Sequence, residues 1–366
     1  MYKKDILLLG MNNKGDGRKK KSGLILAAGI IFLVITAFLS FLVVLPIFVG
    51  IFSNSLSLAL AFLLWLFLIS FIVISILVHM ANKQVIPAVW RNLRPFRTIH
   101  FVFMVIIGII ISGNADYLAA NTIPIILVAV LLLVFIWQYT VMINDIYDIE
   151  IDKLSNVGRP LIAGAITKEG YTIVMFSFFA FSVIFGFILG PVILGLALFC
   201  LFLGTVYSVP PFRIRDRIWS SMIIGAGSSC AFLIGFFTPN FMGASANLTM
   251  DAILIALIIF SALSTAPVLT DLKDYEGDKK ANVKSLYTVF GLEEGKKIAS
   301  ALIPMLFCTP ALILHNILDI MIFIAFGSAA TIIFYKKGDF RGVFLCYFVV
   351  IIYCIFRITG SISGTF

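Results

Sequence analysis

Long apolar runs, each near the length of a bilayer crossing, alternate with short polar segments along the chain. Eleven stand out, near residues 24–50, 57–81, 98–113, 121–143, 171–189, 192–209, 218–238, 251–270, 298–314, 317–335 and 341–360. A membrane helix needs about 20 mostly apolar residues, so the pattern predicts eleven spanning helices. The run at 98–113 is short and requires flanking residues or a locally thin bilayer. Gly190-Pro191 and His315-Asn316 read as tight turns between neighbouring runs. The runs do not alternate apolar with polar residues, which argues against a porin-like barrel.

Composition narrows the class. Of 366 residues, 61% are hydrophobic and 12% charged, whereas a soluble domain averages about 45–50% apolar and about 25% charged. A soluble globule and a disordered chain are excluded, and the predicted fold class is an all-α polytopic membrane protein. The net charge of +9 would suggest nucleic acid if the basic residues were clustered at random. They are not. With the N-terminus in the cytoplasm and the loops alternating, 26 of the 27 Lys and Arg residues fall on the cytoplasmic side, and Arg357 in the last run is the exception. This is the positive-inside pattern, so the charge reports topology and no nucleic-acid partner is expected. Fifteen of the 18 acidic residues share that face, Asp116, Asp251 and Asp319 lying elsewhere. Acids contribute little to orientation, so topology does not explain their enrichment.

The first run is longer than the 7–15 residue core of a cleavable signal peptide and reads as an uncleaved anchor, with Met11 as a second candidate start. Cys200, Cys230, Cys308, Cys346 and Cys354 all lie inside apolar runs, without the spacing of a disulfide framework or a zinc site.

The acidic residues gather in two constellations. Asn144-Asp145-Ile146-Tyr147-Asp148-Ile149-Glu150-Ile151-Asp152 directly follows the fourth run, with Asn144, Asp148 and Asp152 four apart. Asp271-Leu272-Lys273-Asp274-Tyr275-Glu276-Gly277-Asp278 follows the eighth, with Asp271, Asp274 and Asp278 three and four apart. Either spacing puts three oxygen donors on one helical face, at a cytoplasmic helix end in the topology above. Six such groups around one cavity repel unless cations sit among them. Mg²⁺ takes oxygen ligands and is commonly held by one or two carboxylates plus substrate phosphates, where it neutralises charge on a leaving group. The plainer reading, solvated acids at helix ends, needs two matching stripes to arise without a shared role. Arg94, Arg159, Arg213, Arg215 and Lys273 are placed to meet phosphate, Arg as a bidentate fork and Lys as a point charge. Positive-inside placement accounts for the same residues. The three histidines, His79, His100 and His315, are scattered and take no role.

At this level of detail the sequence resembles a known family. Asn144 to Gly164, NDIYDIEIDKLSNVGRPLIAG, looks like the NDxxDxxxD…RPLxxG signature of the UbiA superfamily of intramembrane prenyltransferases. Asp271 to Gly291, DLKDYEGDKKANVKSLYTVFG, resembles its second motif, and Tyr207 to Phe212, YSVPPF, resembles the YSxPP-type loop between them. Arg94-Pro95 resembles the family's usual start, from which nine runs follow. The resemblance covers roughly residues 88–362 and implies a nine-helix UbiA-type bundle over residues 90–366, preceded by a two-helix N-terminal extension, residues 1–89. It implies a polyprenyl diphosphate held through Mg²⁺ by Asn144, Asp148 and Asp152 on one side and by Asp274 and Asp278 on the other, with Asp271 a common extra ligand. Lys284 and Ser285 match the basic stretch that follows. Position 282 is Asn where many relatives have Gly.

The expected enzyme is therefore an integral-membrane prenyltransferase moving an isoprenoid chain to a lipophilic acceptor. Asp148, Asp274, Arg213 and Lys273 are its expected catalytic residues, and Arg159, Arg213, Lys273 and Tyr207 its diphosphate contacts. Departure of diphosphate leaves an allylic cation that aromatic faces stabilise, with Tyr147, Tyr207 and Tyr275 nearest the motifs. Two acceptor classes stay open, an aromatic ring as in quinone biosynthesis and a glycerol-lipid hydroxyl as in archaeal ether-lipid synthesis. A cation-coupled transporter is the main rival, since intramembrane acids often mark ion paths. Transporters place such acids near the midplane, and here they sit at helix ends. The compact motif of a CDP-alcohol phosphotransferase is absent.

Overall fold

A computed structural model describes residues 49, 55–81, 83, 85–112, 122–155, 158–242, 246–314 and 316–362. Nearly all of the predicted run at 24–50, the candidate start Met11, Asp116 and His315 lie outside the described residues. The chain divides into two compact units, residues 1–83 and 84–366. In the first, α1 (Ser55–Ala81) is a single 27-residue apolar helix.

The second unit is all helical among its described residues. It runs through α2 (Val85–Asn92), α3 (Pro95–Ile111), α4 (Ile123–Tyr147), α5 (Ile149–Ser155), α6 (Lys168–Leu189), α7 (Pro191–Ser208) and α8 (Ser221–Phe237). It continues through α9 (Met250–Leu263), α10 (Ala266–Asp271), α11 (Tyr275–Lys280), α12 (Leu286–Phe290), α13 (Leu292–Cys308), α14 (Ile317–Lys337) and α15 (Phe340–Ile362). The sequence marks these boundaries locally. Proline opens α3, α4, α7 and α10, where its missing N–H has no helical partner to lose. The side chains of Thr167, Thr249 and Asn316 accept the first free backbone N–H groups of α6, α9 and α14, as N-caps do. Gly190, at φ 111°, makes the expected tight turn between α6 and α7.

Seven described segments are long and apolar enough to cross a membrane: α4, α6, α7, α8 with its following turn, residues 250–280 taken together, α14 and α15. The predicted count of eleven is thus met only in part. The helix at the short third run begins at Pro95 and has 17 residues. At the run near 298–314, α13 spends its first turns on Glu293, Glu294, Lys296 and Lys297, contains Pro304, and ends at Cys308 in a 3₁₀ turn.

The helices close into a ring. α3 packs on α8, α8 on α9, α13 on α14, α14 on α15, and α15 returns to α3, while α4 packs on α6 and α7. α4 is buried along most of its length, from Pro124 to Asp145. Its 25 residues rise about 37 Å, more than the roughly 30 Å hydrocarbon core, so a span centred in the membrane carries its Asn144–Tyr147 end to one interface. The 250–280 segment is broken rather than continuous. Pro267 cannot donate to Leu263, and the hydroxyls of Ser264 and Thr265 donate to the carbonyls of Phe260 and Ala262 at 2.7 and 2.6 Å. Helix backbone therefore stops and restarts just before the second acidic constellation. A 3₁₀ turn over Leu272–Asp274 follows, so Asp271, Asp274 and Asp278 do not share one regular α-helical face.

Close backbone approach fixes the α3–α8 pair. A Cβ on Gly108 would overlap the Phe232 carbonyl, and one on Gly235 would overlap the carbonyl of Val105. Small residues are what permit such contact between membrane helices, whose association has little hydrophobic drive. At the end of the bundle opposite the acidic constellations, Arg357 of α15 donates to both carboxylate oxygens of Asp319 at 2.9 and 3.1 Å, and Tyr353 also donates to Asp319. We expect Gly235→Ala to destabilise the bundle by about 1–3 kcal/mol, read as a lower thermal midpoint in detergent. Gly195→Ala, where a Cβ meets nothing within 4 Å, should leave the midpoint at the wild-type value or slightly above it.

Candidate active site

The first constellation folds as its spacing predicts. The Asp148 N–H donates to the Asn144 carbonyl at 2.9 Å and the Asp152 N–H to the Asp148 carbonyl at 2.8 Å, so the helical ladder runs through the junction of α4 and α5. Asp148 and Asp152 are buried on that stripe, and each carboxylate is met by arginine. Asp148 accepts from Arg213 at 3.0 Å, from Arg215, and from the Asn144 amide at 2.5 Å. Asp152 accepts from Arg159 at 2.5 Å.

Asp145, off the predicted stripe, is the hub of the network. It accepts from Arg94 at 2.7 Å, from Arg159 at 2.5 Å and from the Tyr171 hydroxyl at 2.7 Å. The Asn92 amide in turn donates to the Tyr171 hydroxyl at 2.8 Å. One buried carboxylate thereby ties α2, the start of α3, α4, the loop at Arg159 and α6 together. Burial pulls Arg94 below the ordinary guanidinium pKa, with Asp145 opposing and Arg159 adding to the shift.

A cavity of ≈ 390 Å³ lies above this network. Of the residues expected from sequence it gathers Asn144, Arg159, Tyr207, Asp271, Lys273, Asp274 and Asp278. Arg94, Arg97 and Arg215 join them on its wall. Arg215 reaches both constellations, through Asp148 and, at 3.4 Å, Asp278. Lys273 stands 3.9 Å from Asp274, and Arg97 donates to the Thr270 hydroxyl at 2.8 Å. Arg213 lies on the outer side of the wall. It lines a separate groove with Arg217, Asn282 and Lys284, donates to the Tyr147 carbonyl at 3.2 Å, and donates to Asp216 at 2.8 Å. Asp148 and Asp152 sit behind their arginines. Ser285 lines the cavity and caps α12 in a capping box with Thr288.

The backbone is set for these contacts. Arg94 at φ 48° and Arg213 at φ 35° are left-handed, a conformation that costs any residue with a Cβ energy and clusters at functional sites. Asn282 is left-handed as well, with φ 55°. Asn is among the few L-residues that visit this region readily.

Among the described residues, no group of three His, Cys, Asp or Glu side chains converges on one point. The donors on the cavity wall are nevertheless all oxygen: Asn144, Asp271, Asp274 and Asp278. That set suits a hard cation whose shell is completed by water and phosphate rather than an all-protein cage.

Two apolar arms leave the cavity. One shares Arg94, Asn144 and Tyr207 with it and runs past Leu133, Ile136 and Leu203. The other shares Arg97, Thr270 and Phe344 and runs past His100, Trp137 and Tyr347.

Residues 101–342 match the model of the UbiA prenyltransferase family. The chain belongs to that family. Its fold is that of a UbiA homologue from Archaeoglobus fulgidus bound to GPP and Mg²⁺, with a TM-score of 0.58 and 20% identity over 75% of this chain and 98% of that one. In sequence it is 34% identical over 172 residues to a probable homogentisate phytyltransferase of Oryza sativa, covering 45% of each chain. It is 30% identical over 210 residues to the homogentisate solanesyltransferase of Arabidopsis thaliana, covering 56% of this chain and 49% of that one. A digeranylgeranylglyceryl phosphate synthase of Saccharolobus solfataricus is 25% identical over 195 residues, 50% of this chain and 66% of that one. The chain thus spans about half the length of the plant relatives it matches.

Two residues of this UbiA-family site, Asp145 and Arg97, are not singled out from sequence, whereas Arg94 and Arg215, expected there to meet phosphate, lie on the cavity wall. Asp145 falls off the four-residue stripe, although it stands in the motif. Arg97 carried a signal of its own, a charge in the first turn of an otherwise apolar helix. We expect Asp145→Ala, which strips two arginines and a tyrosine of their shared partner, to cost about 3 kcal/mol, read as a lower unfolding midpoint. Asp145→Asn, which keeps an acceptor oxygen but no charge, should fall between it and the wild type.

Proposed function

We propose that the chain is an integral-membrane prenyltransferase that moves an isoprenoid chain from a polyprenyl diphosphate to a lipophilic acceptor with Mg²⁺. The observation that carries this reading is a cavity walled by oxygen donors on one side and guanidinium and ammonium groups on the other, opening into apolar arms. The complex of the Archaeoglobus homologue with GPP and Mg²⁺ and the names of the relatives support it.

In this reading Asn144, Asp271, Asp274 and Asp278 hold the metal from the cavity side. Asp148 and Asp152 act from behind, keeping Arg215 and Arg159 aimed inward. Bound Mg²⁺ would neutralise charge on the leaving diphosphate. Arg94, Arg159, Arg215 and Lys273 bind the diphosphate oxygens and stabilise the charge that grows as the C1–O bond breaks. Tyr207, on the wall between the cavity and the first apolar arm, faces the nascent allylic cation. The arm along Leu133, Ile136 and Leu203 has no charged side chain beyond its mouth and suits a hydrocarbon tail. Arg213, on the outer groove, braces Asp148 rather than contacting the donor.

Residues 90–366 carry this activity as a nine-helix core, the two-helix segment 1–89 preceding it. The acidic face lies toward the cytoplasm with the basic loops. The relatives' names include both acceptor classes.

The test uses purified protein in lipid with geranylgeranyl diphosphate, Mg²⁺, and homogentisate or geranylgeranylglyceryl phosphate, with products read by mass spectrometry. Prenylated product that vanishes with chelator is the expected result. Intact donor in every tube from folded protein would overturn the reading and favour a transporter. Asp148→Ala and Asp274→Ala should abolish turnover. Arg215→Ala should lower kcat about 100-fold, and Arg213→Ala by less.

A further inference from the structure

Two buried polar side chains that line the second arm, His100 and Tyr347, form a chain with Ser228 behind them. Tyr347 of α15, His100 of α3 and Ser228 of α8 are all buried. The Tyr347 hydroxyl lies 2.8 Å from His100 Nδ1, and His100 Nε2 lies 3.0 Å from Ser228 Oγ. Ser228 donates to the Ile224 carbonyl at 2.8 Å. A hydroxyl has one proton, so Ser228 accepts from His100. Neutral imidazole then carries its proton on Nε2 and offers a lone pair at Nδ1. Tyr347 must donate to that lone pair, which leaves its own oxygen free to accept. The direction of the whole chain follows from its far end.

The location matters as much as the wiring. His100 lies one helical turn beyond Arg97, and Tyr347 one turn beyond Phe344, both of which line the cavity. Trp137 lines both arms, and among the described residues its buried indole N–H has no hydrogen-bond partner. A buried N–H without a partner is costly and marks a place where a ligand oxygen fits. The arm thus offers one donor and one acceptor, a turn below the cations.

Resting on the transfer reading above, we propose that this arm holds the head of the acceptor, a compound with a reacting hydroxyl and a second oxygen, and that Tyr347 is the group that takes the hydroxyl's proton. The acceptor O–H gives its proton to Tyr347 Oη as Tyr347 passes its own to His100 Nδ1. The C1–O bond of the donor breaks with its electron pair leaving on diphosphate, and the acceptor's oxygen or ring carbon bonds to C1. After attack by a ring carbon, the ring proton restores the hydroxyl. His100 then returns its proton through Tyr347 to the departing diphosphate. Tyr347 is catalytic in this scheme, Trp137 binds the acceptor, and His100 and Ser228 position Tyr347.

The test uses the full chain in phosphatidylcholine nanodiscs, with geranylgeranyl diphosphate, Mg²⁺, and homogentisate or geranylgeranylglyceryl phosphate in separate arms. The arm that yields product identifies the hydroxyl as phenolic or glyceryl. Tyr347→Phe should lower kcat about 100-fold with the donor KM unchanged, and should abolish the solvent deuterium isotope effect on kcat that the relay predicts for the wild type. Trp137→Phe should instead raise the acceptor KM. If Tyr347→Phe does not insert, Ser228→Ala reports on the same chain, with a smaller fall in kcat and the same unchanged donor KM. Wild-type kcat and isotope effect in whichever of these two variants inserts would overturn the relay while leaving prenyl transfer standing. A wild-type protein that makes no product would overturn both readings together.

Discussion

A carboxylate at the end of a packed membrane helix must be solvated, protonated or paired, because burial strips its hydration and repays little on its own. The first constellation takes the third course. Asp145, Asp148 and Asp152 are buried almost to completion, and the guanidinium groups of Arg94, Arg159, Arg213 and Arg215 supply what water would have supplied. Those four arginines come from three separate loops, so the pairing draws the loops over one end of the bundle. The site is the product of that constraint.

The two constellations are unequal. In the first, the contacts to arginine are short and the carboxylates face inward. In the second, Lys273 stands 3.9 Å from Asp274 and Arg215 3.4 Å from Asp278, and the carboxylates line the cavity. One stripe holds the cations in place, and the other presents oxygen to whatever enters. Arg215, reaching both, sets how far apart they stand. The break in helix backbone before Asp271, enforced by Pro267, turns the second stripe away from a regular helix face and onto the cavity wall.

The membrane class, the main helical runs and the two acidic constellations were legible because apolar run length and three-to-four spacing are properties of the sequence itself. The roles within the constellations were less so. Periodicity assigned Asn144, Asp148 and Asp152 to one face, correctly, but could not show that Asp148 and Asp152 turn to arginine instead of the cavity. It passed over Asp145 for being one residue out of register. Arg215 lines the cavity and Arg213 the outer groove, a division that nothing in the residue types announces. His100 looked idle because its partners, Ser228 and Tyr347, are more than a hundred residues away in sequence. Asn282 is the converse case. It stands where the family pattern resembled by the sequence has Gly, and its positive φ is one that Gly and Asn both adopt readily.

The pairing of Arg357 with Asp319 bears on how the protein is made. Arg357 is the one basic residue that breaks the separation of charge between the two faces, and Asp319 is one of three acids that break it too. Either charge alone would add to the cost of inserting its helix, by about 2.5–3.5 kcal/mol at mid-helix and less near the ends where these two sit. Held together by a two-pronged contact, they present almost no net charge to the lipid. The last two helices are thereby suited to leave the translocon as one hairpin, and the exception to the charge rule cancels itself during biogenesis.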